Sequence, residues 1–132
     1  MKLKPIVKTV GTIMDQLTML TGWKFIGAMK GDTCTLVANL VSEQEKKVEV
    51  AIEIDQADVL IRVTGWDDNF NQDTVDRVME KLDFPVELEI NQGESLMLSH
   101  HEPFGVLEHS VKGVTRQCIV PMVDAVGEII AE

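Results

Sequence analysis

The sequence predicts an α+β domain in which three helices pack largely on one face of an antiparallel sheet, itself a meander plus a hairpin. Three observations predict it. Apolar residues near both ends recur at spacings of three and four, those between them alternate with period two, and one short helical pattern interrupts the alternation. The expected order is α-β-β-β(-β)-α-β-β-α. With 132 residues and no repeat or linker, the chain reads as one domain, residues 1–132.

The first helix covers residues 6–20. Ile6, Val7, Val10, Ile13, Met14, Leu17 and Leu20 gather on one face, Pro5 suits a first turn and Gly22 suits a stop. The period then changes. "WKFIGAM" and "TCTLVANLV" flank the turn "KGD", and "KKVEVAIEID" and "DVLIRVTGW" follow across "SEQE" and a tight connection at residues 55–58. These make a meander of up to four strands. Val48, Val50, Ile52 and Ile54 alternate with Glu49, Ala51, Glu53 and Asp55, so that strand has one packed and one wet face.

Asn71 caps a second helix that turns Val75, Val78, Met79 and Leu82 inward, and Pro85 marks its end. "VELEI" and "ESLMLSHH" pair across "NQG". Residues 114–130 form the closing helix, kinked where Pro121 removes a backbone donor. A rival reading makes residues 114–120 a strand and starts the helix at Pro121.

A chain of this length removes roughly two-thirds of its unfolded surface from water, so one core suffices without staples. A hydrophobic fraction of 45% without any long apolar run argues against both disorder and a spanning helix. The opening "MKLKPIVKTVGTIMDQ" is broken by Lys8, Thr9, Gly11, Thr12 and Asp15 and offers no signal-peptide core, so a cytoplasmic location is expected. Cys34 and Cys118 have apolar neighbours and no CxxC spacing, as buried thiols in a reducing compartment would. The formal charge of −10 repels phosphates, so neither nucleic acid nor an anionic membrane is an expected partner.

Three stretches invite a site. In "LMLSHHEPFGVLEHSV", a hairpin with Pro103-Phe104 at its tip would set His100 opposite Leu107 and Leu98 opposite His109. His100 and His109 would then share a face, two imidazoles that could meet a transition metal but are too few for a closed zinc site. His101 would point the other way, so the adjacent "HH" is no chelating pair. Residues 65–73, "GWDDNFNQD", offer oxygen donors for calcium, yet lack the loop glycine and terminal glutamate in register, and a helix-capping loop explains the same letters. Trp66 and Phe70 there read as anchors to the core. Glycines in "TGWKFIGAMKGDT" do not match a phosphate loop. No cofactor is implied.

The third stretch is a surface. Thr35, Val37, Val41, Ala51, Leu60 and Trp66 fall on the sheet face away from the helices, a mixture more apolar than a solvated face requires. Val37, Val41, Leu60 and Trp66 are the candidate binding residues, for a second copy or a client. The competing reading is that another layer or loop covers them.

The layout resembles the YbjN family and the fold it shares with class I type III secretion chaperones. The resemblance runs from the helix at Ile6 through "CTLVANLV", "KKVEVAIEID" and "DVLIRVTG" to "TVDRVMEKLDF", "PVELEINQGESLMLS" and the closing "VTRQCIVPMVDAVGEII". It is one of order and pattern without an invariant motif. "WKFIGAM" and "HHEPFGVLEHSVKG" are additions to the pattern. The resemblance implies a non-enzymatic, homodimeric protein that holds an extended segment of a client, and it carries over no active-site residue. The expectation is therefore a protein-binding adaptor or chaperone-like domain. The alternative is a small-molecule- or metal-binding domain centred on His100 and His109.

Overall fold

A computed structural model describes all residues except 1, 2, 43, 56, 68, 69, 92, 93 and 132, together with the side chains of residue 9 onward among them. The chain runs α1 (Leu3–Thr21), β1 (Ile26–Lys30), β2 (Thr33–Val41), β3 (Lys47–Ile54), β4 (Asp58–Trp66), α2 (Gln72–Glu80), β5 (Glu87–Asn91), β6 (Ser95–Pro103), α3 (Phe104–His109), α4 (Val111–Val114), a π turn (Thr115–Ile119) and α5 (Val120–Ile130). This is the expected α+β layout. The first four strands are sequential neighbours, and β6 inserts between β4 and β5, giving an antiparallel sheet in the order β1-β2-β3-β4-β6-β5.

Alternation fixes which side of the sheet is covered. Leu36, Ile52, Ile61 and Leu98 lie on the same side and are buried, as are their two-residue neighbours Ile54, Val59, Val63 and Leu96. Helices cover this side: α5 lies on β3, β4 and β6, α3 on β4 and β6, and α1 on β2, while α2 packs against α5. Ile13 and Leu17 from α1 and Met122, Val126 and Ile129 from α5 complete the core.

Turn chemistry sets the ends. Gly22 adopts φ +75° after α1 and its amide returns to the Thr18 carbonyl, a conformation that a side chain would strain. Gly31, at φ +63°, opens the two-residue turn between Lys30 and Thr33. The Asn71 side chain accepts hydrogen bonds from the amides of Asp73 and Thr74 and caps α2. Asp55 closes the turn between β3 and β4. Its carboxylate accepts from the amides of Asp58 and Ala57, which holds that carboxyl below the usual aspartate range.

Four expectations need correction or completion. "WKFIGAM" contributes β1 as an edge strand, starting only at Ile26 and paired in register with β2. The second helix stops at Glu80, with Lys81 as its cap, well before Pro85, and Leu82 and Phe84 pack on the core from the following loop. Residues 114–130 are helical throughout, so the rival strand does not form. The turn before Pro121 widens into a π turn, in which the Val120 amide reaches back to the Thr115 carbonyl. A proline ring clashes with the carbonyl four residues earlier in a regular helix, and the wider turn relieves that crowding.

The fourth correction is the histidine hairpin, which does not form. Phe104 begins a six-residue helix in which Leu107 is the buried residue, and Ser110 then caps α4 by accepting from the Gly113 amide. His100 stays on β6 opposite Ile61, whereas His109 ends α3 with its side chain exposed. Nothing pairs them.

Candidate functional site

The open face of the sheet carries the candidate binding residues. Its central rung reads Ile26, Val37, Ala51, Arg62, Ser99 and Glu87 across the six strands. The next rung sets Ala28, Thr35, Glu53, Leu60 and His101 side by side. Val37 and Leu60 therefore sit on neighbouring rungs, separated by β3. Val41 pairs with Lys47, and Trp66 pairs with Ser95 at the same end of the sheet. The rung of Asn39, Glu49, Thr64 and Met97 lies between the two groups. Val37 and Val41 are about 13 Å apart along their strand.

The four residues thus share a face without forming one patch. Val41 is 68% exposed, and Val37, Leu60 and Trp66 are half-buried by their strand neighbours. Ile26, 66% exposed, joins Val37, Ala51 and Leu60 into the larger apolar group. Sequence reasoning missed Ile26. The signal was there, since an alternating strand that opens a meander is an edge candidate, but its register could not be read.

Charge frames this apolar group. Glu49, Glu53, Asp58, Glu87 and Glu89 face the open side with Lys30, Lys47 and Arg62, and Arg62 is paired with Glu53. The balance is acidic. His101 adds a contact of 3.0 Å from its Nδ1 to the Asp58 carboxylate at the rim.

His100 belongs to the opposite face and to packing. Its Nδ1 lies 2.6 Å from the Pro85 carbonyl, which can only accept, so the proton sits on Nδ1. Phe84 meets the ring edge-on at a centroid distance of 5.0 Å. Nε2 lies 3.4 Å from a Glu102 carboxylate oxygen, near enough for a charge contact, though neither atom has hydrogen-bond geometry to a partner among the described residues.

Cys118 on the π turn is pushed up to about 11 by burial first, then by the carboxylates of Glu102 and Asp83. It is a thiol at neutral pH and a weak nucleophile. Burial also raises Cys34, against a smaller opposing effect of the Ala28 amide. Both cysteines are free and buried. Among the described residues no three His, Cys, Asp or Glu side chains cluster as metal ligands.

The acidic loop is partly structural. Lys46 Nζ donates to the Asp67 carboxylate at 2.9 Å and also to the Ile130 carbonyl, tying the start of β3 to the end of α5. Asn71 is occupied as a cap. Phe70 packs on the core as expected, whereas Trp66 lies on the open face. Residues 68 and 69 of the 65–73 stretch lie outside the described residues.

No protein-family model, curated protein or solved structure matches the chain. No helix among the described residues is long and apolar enough to cross a membrane.

Proposed function

We propose that this chain is a non-enzymatic, homodimeric adaptor of the YbjN and secretion-chaperone type that works in the cytoplasm and holds an extended segment of another protein. The observation that supports this reading most is the open sheet face, where Ile26, Val37, Ala51 and Leu60 form an apolar strip inside an acidic frame. Its occupant is an extended client segment in which apolar and basic residues alternate. Apolar side chains bury against the strip. The Lys or Arg side chains between them point away from it and respond to the summed acidic field of Glu49, Glu53 and Glu87 rather than contacting those carboxylates. The net charge of −10 steers such a segment in and repels acidic ones.

The test uses fluorescein-labelled 15-residue peptides with alternating valine and lysine, or alternating valine and glutamate, read by fluorescence anisotropy. The lysine peptide binds, weakens as salt rises, and loses about tenfold in affinity with Leu60→Ser, as removal of a central apolar contact would require. Equal binding of both peptides, or an unchanged affinity in Leu60→Ser, overturns the reading. The alternative of a metal or small-molecule domain has lost the hairpin that brought His100 and His109 together.

A further inference from the structure

Strand β1 ends the sheet. Its five residues, "IGAMK", are all exposed, with Ile26 at 66% and Met29 at 41%. The two-residue turn makes Lys30 and Thr33 a hydrogen-bonded pair, and bonding alternates along an antiparallel ladder. The amides and carbonyls of Ile26, Ala28 and Lys30 therefore face β2, and those of Gly27 and Met29 face outward. An exposed edge of this kind is a template for another strand.

Two observations select the occupant. The chain carries a net charge of −10, yet β1 holds no acidic residue, whereas the other edge, β5, reads "ELEIN" with Glu87 and Glu89 exposed. Two β1 edges therefore meet with less like-charge repulsion than two β5 edges would. The second observation is shape. Gly27 and Met29 share the helix-side face with Leu36 and Cys34, beside a groove of about 200 Å³ lined also by Val10, Gly11 and Met14. A side chain built on Gly11 would meet nothing within 4 Å.

We propose that two copies of this chain dimerise by antiparallel pairing of their β1 strands about a two-fold axis at Ala28. The register sets Gly27 against the partner's Met29, so each Met29 side chain enters the other copy's groove over the glycine, beside Gly11 and Met14. Lys30 falls opposite the partner's Ile26, which keeps the two lysines apart and lays an aliphatic stem over an exposed isoleucine. Gly27 and Met29 supply the four backbone hydrogen bonds. The pairing is isologous and closes as a dimer with one continuous sheet of twelve strands, six from each copy. This interface rests on the adaptor reading for its use, since it extends the open face across both copies.

Sedimentation equilibrium and oxidative cross-linking test it. The wild type sediments at twice the 14.7 kDa chain mass. Ala28→Cys forms an intermolecular disulfide, because a non-hydrogen-bonded antiparallel pair sets its Cα atoms about 4.5 Å apart, within disulfide reach. Ile26→Cys cross-links to Lys30→Cys in a mixture and to itself hardly at all. Met29→Pro removes an outward amide without touching the β2 ladder, and gives a monomer that melts as the wild type does when both are monomeric by dilution. A monomeric wild type, or a dimer indifferent to Met29→Pro with no Ala28→Cys cross-link, overturns the interface. The peptide assay separates the two failures. A monomer that still binds the lysine peptide sinks the interface and the homodimeric part of the adaptor reading but leaves client binding standing. A dimer that binds neither peptide sinks client binding and leaves the interface standing.

Discussion

Adjacent residues of one strand live in different solvents. On β4, Ile61 faces the helices and is fully buried, while Leu60 faces the open side and is half-buried between Glu53 and His101. The covered face is a close-packed interior in which each position is constrained by its neighbours. The open face is constrained only to remain a strand, and it can therefore carry charge and apolar groups chosen for a partner. Ile61→Ala should cost about 2–5 kcal/mol in urea denaturation, and Leu60→Ala less than about 1 kcal/mol. Equal losses would mean that something covers the open face.

The covered face is also intolerant of growth. Gly65 lies under α5, and a Cβ there would stand 2.5 Å from a Val126 methyl and 3.1 Å from one of Ile130. Both neighbours are buried, so Gly65→Ala must push α5 away and should cost about 1–3 kcal/mol by thermal melting. Thr64→Ala, next door on the open face, supplies the contrast and should stay within about 0.5 kcal/mol.

A third probe of the same contrast is alkaline pH. The Cys118 thiol, raised to about 11, keeps its proton in the folded chain at a pH where an unfolded cysteine has lost it. Its contribution is complete below about pH 9 and is lost as pH rises through the folded value. Stability measured from pH 9 to 11 should therefore fall more steeply for the wild type than for Cys118→Ala. Parallel curves would place the thiol in contact with water.

How much of this was legible depended on period and distance. Regular repeats over enough residues were readable: Val48 to Ile54 showed a buried face before any coordinates, and the apolar spacing that ran through Pro121 marked a continuous helix. Asn71 was readable because capping is local, and Asn71→Ala should cost about 1 kcal/mol, checked by chemical denaturation. Residues 104–109 were not readable. Six residues are under two helical turns, Leu107 is the one buried side chain, and Pro103-Phe104 resembles a hairpin tip equally well. Sheet order was beyond local reading, since the placement of β6 beside β4 is decided by which buried faces meet, and with it went the fate of His100 and the edge status of β1. The candidate surface was found as a face and missed as a shape, because alternation gives the side of a sheet while register gives the neighbours.

The smallest expected effect on stability discriminates best between the two faces as sites. Arg62 and Glu53 form an ion pair on the open side, each side chain about one-third exposed, whereas Lys46 and Asp67 pair at the sheet's end with Asp67 only 8% exposed. Screening leaves the first pair worth about 0.2–1 kcal/mol in a double-mutant cycle. Arg62→Gln should therefore barely change the melt. It should still change binding, because it removes a positive charge from the middle of the apolar strip. The lysine peptide should bind Arg62→Gln more tightly than the wild type, and Arg62→Gln with Glu53→Gln should return toward the wild-type affinity. A looser complex in Arg62→Gln would mean that the ion pair shapes the strip rather than weakening its acidic field, and the acidic frame would then lose its role in recognition.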